Sequence, residues 1–234
     1  MNKQEFINKV SELGINLTEE QLVQLDTYCN FLLEYNSHTN LTAIKEEDQV
    51  YLKHFYDSLT FIKAIDVTKY NNLLDIGTGA GFPGLVLKIV FPELKIDLLD
   101  STTKRCQFLQ MVIDKLGLKD IEVINDRAEN IISNHREKYD FATARAVAEL
   151  RVLSEYCLPF VKKDGYFVSM KGSLAELEIE NAQNALKVLS GKIEEKFCFD
   201  LCSQGERNII KIKKISQIPP KYPRVSAQIA KKPL

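Results

Sequence analysis

Apolar side chains recur at helical intervals through the first seventy residues. Thr18 and Gln21 have the spacing of a capping box, and apolar residues then follow every three or four positions up to Tyr35. The polar run after Tyr35 predicts the end of this helix. A second helical run is predicted from Glu46 to Ile65, and its expected buried positions are Val50, Leu59, Ile62 and Ile65. We therefore predict an N-terminal helical cap over residues 1–68.

Beyond Lys69 the pattern changes to short apolar runs separated by amphipathic segments, which is typical of an α/β fold with a parallel sheet covered by helices on both faces. The predicted strands are Leu73–Ile76, Ile96–Leu99, Glu122–Asn125, Phe141–Ala144 and Tyr166–Met170. The helices between them are expected to begin near Pro83, Thr102, Ala128 and Ala148. A further helix to about Leu189 and a hairpin of Lys196–Leu201 with Asn208–Ile212 complete a predicted domain over residues 69–214.

The composition is that of an ordinary globular protein, with 234 residues, 45% hydrophobic and 27% charged. No apolar run approaches the roughly 18 residues of a membrane span, and the first residues lack a secretory signal, so we expect a cytoplasmic protein without a membrane partner. The five cysteines include no C-x-x-C pair. Neither a disulfide framework nor a metal site is therefore expected.

The net charge of −1 conceals an uneven distribution. Residues 207–234 carry eight Lys or Arg side chains and no Asp or Glu, so the preceding part of the chain has a net charge of −9. Such a basic segment is typical of a surface that contacts a polyanion, although lysines that keep a strand edge in solvent would give the same pattern. We expect residues 215–234 to form a basic tail packed on or flanking the α/β domain.

A glycine-rich turn follows the first predicted strand directly. The run Asp75-Ile76-Gly77-Thr78-Gly79-Ala80-Gly81-Phe82-Pro83-Gly84 contains the spacing G-x-G-x-x-G, which is compatible with a dinucleotide. Its other register, with Asp75 two positions before Gly77, resembles the first motif of class I methyltransferases, which use S-adenosylmethionine. The acidic residue favours the second cofactor, and the predicted binding residues here are Asp75, Gly77, Gly79 and Gly81.

Two further acidic positions follow the next strands. Asp100 follows the second predicted strand, where a carboxylate can accept hydrogen bonds from both hydroxyls of an adenosine ribose. The same side chain can instead cap the helix that follows. Ala128 and Glu129 come after the third strand, where a backbone amide and an acidic side chain can contact adenine. A glutamate in the first turn of a helix is also ordinary dipole complementation.

The segment after the fourth strand indicates which acceptor is methylated. Enzymes that methylate amines usually carry Asn or Asp followed by Pro-Pro and an aromatic residue there, whereas this chain reads Thr143-Ala144-Arg145-Ala146-Val147. No Pro-Cys dipeptide is present either, so a covalent attack on a pyrimidine is not supported. Arg145 is the predicted positioning residue, because arginine holds carboxylates and phosphates by paired hydrogen bonds, and Lys171 is a second candidate on the same rim.

These motifs, taken together and in order, resemble those of the bacterial 16S rRNA guanine-N7 methyltransferases, formerly called glucose-inhibited division protein B. The matching residues run from Asn40-Leu41-Thr42-Ala43-Ile44 and His54 with Asp57-Ser58-Leu59, through the glycine-rich turn, Asp100-Ser101, Arg145-Ala146-Val147-Ala148 and Lys171-Gly172, to Tyr222-Pro223-Arg224 and Lys232-Pro233-Leu234. The resemblance implies a Rossmann-like class I fold with an N-terminal helical extension. It also implies that S-adenosylmethionine contacts Gly77, Phe82, Ala128, Glu129 and Arg145.

By the same resemblance, the acceptor is N7 of a guanine in the 530 loop of 16S ribosomal RNA, presented as RNA or as a small-subunit particle. The candidate phosphate contacts are Lys53, His54, Arg207, Lys221, Arg224, Lys231 and Lys232. For His54 a structural hydrogen-bonding role is an equally good interpretation. A non-catalytic ribosome-assembly protein that retains the cofactor fold is the alternative function, and a dinucleotide oxidoreductase is disfavoured by Asp75.

Overall fold

The computed structural model describes residues 1–145 and 148–234, so Ala146 and Val147 of the motif after Arg145 lie outside the described residues. The N-terminal part is helical, as predicted. It consists of α1 (Lys3–Glu12), α2 (Glu19–Thr39), α3 (Glu47–Val50), a π-helix (Tyr51–Tyr56), α4 (Asp57–Leu59) and 3-10 turns at Thr60–Lys63 and Val67–Lys69.

Helix α2 has the predicted capping box but ends four residues later than predicted, at Thr39, before Asn40 in the left-handed conformation. The polar side chains after Tyr35 do not end the helix, because they form hydrogen bonds with nearby backbone groups. Asn36 Oδ1 accepts from the amide of Thr42, and its Nδ2 donates to the carbonyl oxygens of Thr42 and Ile44. Asn36 therefore fixes the loop that follows the helix.

The second predicted helical run is present but is not a uniform α-helix. Val50, Leu59 and Ile65 are buried as predicted, whereas Ile62 is half-buried. The π-helix over Tyr51–Tyr56 interrupts the run. Such segments are frequent at functional sites, and no apolar periodicity in the sequence indicated this one.

Seven strands of the described residues form one sheet in the order β3-β2-β1-β4-β5-β7-β6. Their bounds are β1 Asn72–Ile76, β2 Lys95–Asp100, β3 Ile121–Asn125, β4 Tyr139–Arg145, β5 Val161–Lys171, β6 Gly191–Asp200 and β7 Glu206–Lys214. The helices are α5 Gly84–Val90, α6 Thr103–Leu116, α7 Ala128–His135, α8 Leu150–Cys157, α9 Ala175–Val188 and α10 Ser226–Lys231, with a 3-10 turn at Leu158–Phe160. Gly117 ends α6 with a φ of 62°.

Strands β1 to β5 run parallel, so their carboxyl ends lie at one edge of the sheet. The predicted hairpin is present, and β7 pairs antiparallel with β5, which places Asn208 opposite Lys171. The start of β7 therefore lies at the same edge as the end of β5. Strand β6 begins five residues before its predicted start. The prediction was too short because β6 is an edge strand and residues 192–195 are mostly polar and exposed, so they form no apolar run.

Successive residues of the strands point to opposite faces of the sheet, and each face has its own apolar cluster. Leu73 belongs to the cluster that also contains Phe6 and Leu25 of α1 and α2, whereas Leu74 belongs to the cluster that contains Leu153 of α8. The N-terminal helices thus share a core with one face of the sheet. The division into residues 1–68, 69–214 and 215–234 stays a proposal.

Candidate active site

The glycine-rich turn between β1 and α5 is held by Asp75 from behind. One carboxylate oxygen, Asp75 Oδ2, accepts from Thr78 Oγ1 at 2.7 Å and from the amide of Gly84 at 2.8 Å. Asp75 is fully buried and is not among the residues that line the two cavities described below. The structure therefore places this predicted cofactor residue where it shapes the turn, and direct contact of Asp75 with the cofactor stays a prediction.

Burial raises the pKa of Asp75 to about 6, against the hydrogen bonds from Thr78 and Gly84, which lower it. The other oxygen, Oδ1, is buried without a hydrogen-bond partner among the described residues. A carboxyl group that has donors on one oxygen alone is held less firmly in its charged form. The turn is therefore sensitive to the protonation of this group.

The glycines of the turn serve two different purposes. Gly79, with a φ of 63°, has no atom within 4 Å of the position a Cβ would take, so it leaves open space in front of the turn. Gly81 is tightly surrounded, because a Cβ added there would lie 2.7 Å from the hydroxyl oxygen of Tyr28. Tyr28 also donates to the carbonyl oxygen of Ala80 and stacks on Phe82. Helix α2 thus braces the turn through Tyr28, a contact that the sequence did not reveal.

A first cavity of about 630 Å³ opens in front of the turn, which is within the range for a small-molecule site. Its wall contains residues of the turn, of two strand ends, of the start of α7 and of the start of α10, namely Gly77, Thr78, Gly79, Ala80, Phe82, Asp100, Arg145, Ala128, Glu129 and Ser226. Seven of the predicted cofactor residues lie in this wall, whereas Asp75 and Gly81 support the turn from outside it.

Asp100 is held in place by three donors. Its Oδ1 accepts from the amide of Thr102 at 2.8 Å, and its Oδ2 accepts from the amide of Gly79 at 3.0 Å and from Arg105 at 3.3 Å. The contact with Thr102 corresponds to the capping alternative for this residue. The contact with Gly79 ties the end of β2 to the glycine-rich turn, so Asp100 lines the cavity with a fixed orientation.

Arg145, at the end of β4, lies in a wall common to the first cavity and a second one. Its guanidinium donates to the carbonyl oxygen of Lys53 and to Asp57 Oδ2, both at 3.1 Å, and approaches His54 Nδ1 at 3.3 Å. It also lies 5.1 Å from the centre of the Phe82 ring. The π-helix and the start of α4 thus supply three partners to one arginine.

His54 completes this common wall and is kept neutral. Burial, and secondarily the charge of Arg145, lower the pKa of His54 to about 3. Because Arg145 donates to Nδ1, the proton of the ring is on Nε2, which faces Thr42 Oγ1 at 2.9 Å. The ring stacks on Phe82 with centroids 4.2 Å apart. The structural alternative for His54 is therefore the one that its described contacts favour.

The second cavity, of about 570 Å³, has the neutral His54 and six charged side chains in its lining: Lys53, Asp57, Arg145, Lys171, Glu178 and Arg207. Asp57 joins two of them, because its Oδ2 accepts from Arg145 and its Oδ1 from Arg207, each at 3.1 Å. Arg207, at the start of β7, reaches this position because β7 returns to the edge where β5 ends. Asp57 was not predicted as a site residue.

Lys171 lines the second cavity but is engaged with protein groups. Its ammonium pairs with Glu178 at 2.7 Å and donates to the carbonyl oxygen of Ala148, and its side chain is 5% exposed. Glu178 in turn accepts from the amide of Leu150 at the start of α8. Lys171 therefore joins β5 to α8 and α9, and its role at the rim is to support the wall.

The predicted phosphate contacts are distributed over two regions. Lys53, His54 and Arg207 lie at the second cavity, whereas Lys221, Arg224, Lys231 and Lys232 belong to the C-terminal segment. Five of the eight basic side chains after residue 206 pair with acidic ones, namely Arg207, Lys211, Lys213, Lys214 and Arg224. The charge of the segment is thus largely neutralised, and Lys221, Lys231 and Lys232 remain exposed.

In residues 1–145 and 148–234, no three His, Cys, Asp or Glu side chains are grouped as metal ligands. No helix within that part of the chain has the length and apolar character needed to cross a membrane.

Comparison with solved structures identifies the fold. The ribosomal protein L11 methylase of Lactobacillus delbrueckii subsp. bulgaricus is 18% identical, with a TM-score of 0.53 over 74% of this chain and 81% of its own. The M. jannaschii TYW2 protein, solved in complex with AdoMet, is 13% identical, with a TM-score of 0.52 over 62% of this chain and 70% of its own. The predicted α/β fold of class I methyltransferases is confirmed.

Sequence comparison identifies the family. The family described as rRNA small subunit methyltransferase G matches residues 21–210. Proteins named ribosomal RNA small subunit methyltransferase G are 49% identical in Listeria monocytogenes serotype 4b, over 96% of this chain and 95% of theirs, and 48% identical in Lactobacillus acidophilus, over the full length of both. The chain therefore belongs to the rRNA small subunit methyltransferase G family, which confirms the resemblance drawn from its motifs, the enzyme class and S-adenosylmethionine as methyl donor.

Proposed function

We propose that this protein transfers the methyl group of S-adenosylmethionine to N7 of a guanine in the 530 loop of 16S ribosomal RNA. The observation that carries the proposal is the arrangement of two adjacent cavities with His54 and Arg145 in the wall between them. One cavity is built on the glycine-rich turn, and the other is lined by basic side chains. A donor in the first and an acceptor base in the second would meet at this wall.

The first cavity fits the cofactor in size and in chemistry. Asp100 has a fixed orientation at the end of β2, as a carboxylate that binds ribose hydroxyls requires, and Glu129 lies at the start of α7 for adenine. Arg145, which also lines this cavity, supplies positive charge for the carboxylate of the methionine part. Gly79 supports this placement, because a side chain there would occupy the space in front of the turn.

S-adenosylmethionine supplies an electrophilic methyl group, and guanine N7 has a free lone pair and no proton to lose. No general base is needed, so the rate enhancement comes from alignment, which can contribute roughly 7–11 kcal/mol. The neutral state of His54 agrees with this chemistry, since the residue orients Arg145 without exchanging protons. The Phe82 ring stacks on His54 and lies beside the guanidinium of Arg145, so it supports both side chains.

The second cavity supports a nucleotide as the acceptor. Its four basic side chains, Lys53, Arg145, Lys171 and Arg207, exceed the two acidic ones, Asp57 and Glu178, and such a surplus favours a phosphate. A base must leave its stack to enter a cavity of this kind, so an unpaired loop is a better substrate than a helix. These considerations favour an RNA loop in the small subunit, and with it a cytoplasmic site of action.

The test is methyl transfer in vitro. The purified protein is incubated with labelled S-adenosylmethionine and either naked 16S RNA or small subunits from cells that lack the protein. Label in the RNA is expected with the parent, and a severe loss is expected with Arg145→Ala, whose fold should persist because Asp57 keeps Arg207 as a partner. Binding of RNA and cofactor without any label would favour an assembly factor instead of the enzyme.

A further inference from the structure

The segment after β7 reaches the first cavity. Ser226 lines that cavity, and its amide donates to Glu129 Oε1 at 3.1 Å. Its hydroxyl accepts from Arg127 at 2.6 Å. The other oxygen of Glu129, Oε2, accepts no hydrogen bond from the described residues. A carboxylate at the start of α7 is thus held through one oxygen by a residue that lies ninety-seven positions further along the chain.

This segment is anchored firmly to the α/β domain. Arg224 donates to both carboxylate oxygens of Glu155, with distances of 2.8 Å from Nε and 2.6 Å from NH2, and its own amide also donates to this group. Glu155 is fully buried on α8, so the pair is shielded from solvent. Tyr222 and Ile229, which come before and after Arg224 in the chain, are also buried. The position of Ser226 is therefore determined by packing.

The match to the family ends at residue 210, sixteen positions before Ser226. The matched range thus does not include the C-terminal segment. From the sequence, the basic residues of this segment pointed only to RNA. The contacts of Ser226 and Arg224 indicate a second role for the same residues.

We propose that residues 222–234 are a structural part of the cofactor site, in which the Ser226 amide orients Glu129 to recognise the adenine of S-adenosylmethionine. With Oε1 occupied by Ser226, Oε2 is the oxygen that accepts from the exocyclic amine of adenine. Hypoxanthine has a carbonyl at that position, which a carboxylate repels, so the pair Ser226 and Glu129 also sets selectivity for adenine. The inference rests on the proposed function only in placing adenosine in the first cavity.

Two substitutions distinguish the role of the backbone amide of Ser226 from that of its hydroxyl. Ser226 is the first residue of α10, where proline is tolerated, and the preceding Val225 has φ −62° and ψ 144°, which suit a residue before proline. Ser226→Pro thus removes the donor to Glu129 and the hydroxyl together. Ser226→Ala removes only the hydroxyl and is the matched control.

The measurement is calorimetric binding of S-adenosylhomocysteine and of its inosine analogue. Ser226→Pro is expected to weaken binding of the adenine ligand about tenfold, as for loss of a charged hydrogen bond, and to reduce its preference over the analogue. Ser226→Ala should keep that preference. The midpoint of thermal unfolding should change little in either variant, because proline is tolerated at the first position of a helix. Parent-like affinity and preference in Ser226→Pro would overturn the inference, as would an equal loss in Ser226→Ala.

A second measurement uses the parent protein and covers the case in which Ser226→Pro folds poorly. Hydrogen exchange at the amides of residues 225–229 should slow when S-adenosylhomocysteine binds, and unchanged exchange would contradict the inference. Neither measurement involves RNA. A protein that binds the cofactor but methylates no RNA would therefore disprove the proposed acceptor, while these experiments still decide the role of Ser226.

Discussion

Arg145 NH1 lies 3.1 Å from Asp57 Oδ2, and this ion pair is largely buried, with 14% and 7% of the two side chains exposed. The pair joins the end of β4 to the N-terminal helices. It also fixes the guanidinium in the wall between the two cavities. The orientation of Arg145 is therefore set by a residue from the helical segment, outside the parallel part of the sheet.

Asp57→Ala is expected to impair both stability and methyl transfer. Removing this carboxylate leaves Arg145 and Arg207 close together without their shared counter-charge, and breaking a buried pair costs about 3 kcal/mol. Urea denaturation measures the stability, and steady-state kinetics should show a larger loss in kcat/KM for RNA than in cofactor affinity. Glu12→Ala removes a carboxylate from an exposed pair with Lys9 and serves as the control. Equal effects of the two substitutions would contradict this role.

His54 is expected to make the folded protein sensitive to acid. Its pKa is lowered to about 3 in the folded state, mainly by burial, whereas the unfolded chain takes up the proton near pH 6.5. Its contribution to stability is therefore complete above pH 6.5 and is lost as the pH falls from 6.5 towards 3. Unfolding midpoints of the parent and of His54→Asn at pH 7.5 and 4.5 measure this, and the parent should lose more stability. An equal loss in both would show that His54 does not contribute.

Gly79→Ala should weaken cofactor binding by more than its effect on stability explains. Gly79 and Gly117 have φ angles of 63° and 62°, and neither has an atom within 4 Å of an added Cβ. Both substitutions should therefore cost about 1 kcal/mol of backbone strain. Only Gly79 lies in the wall of the first cavity, so calorimetry should show weaker cofactor binding for Gly79→Ala alone. Equal cofactor affinities of the two variants would place the cofactor elsewhere.

Replacing Lys231 and Lys232 by alanine should lower RNA affinity and reduce the salt dependence of binding. Each phosphate contact contributes roughly one unit to the slope of log affinity against log salt, so the double variant should lose up to about two units. Lys213 is paired with Asp164, and Lys213→Ala is the control with little expected effect. Filter binding at several salt concentrations gives the slopes. An unchanged slope in the double variant would mean that these lysines are only solvated.

Much of the sheet could be predicted from the sequence, because buried parallel strands are continuous apolar runs and the glycine-rich turn has a fixed spacing. Strand β6 was predicted too short because its edge position leaves its first half polar. Asp57, Tyr28 and Ser226 could not be assigned to the site, since each contacts residues at least fifty positions away. One signal pointed to Asp57, namely its place in the Asp57-Ser58-Leu59 motif that forms part of the family resemblance.

The basic tail shows how a charge pattern can be incomplete as a guide. The excess of lysine and arginine after residue 206 predicts an RNA contact, but most of these charges have acidic partners that come from earlier in the chain. Deleting the whole segment would also remove Ser226 from the cofactor cavity. Point substitutions at the exposed lysines are therefore the better test of RNA binding.

We propose that the two cavities place a methyl donor against N7 of one guanine in the 530 loop. Borohydride reduction followed by aniline cleaves RNA at N7-methylguanine, so it maps the modified position in 16S RNA from cells with the protein, without it, and with Arg145→Ala in its place. We expect cleavage at a single guanine of that loop only when the parent protein is present. Cleavage there in cells that lack the protein, or none in cells that contain it, would contradict the account.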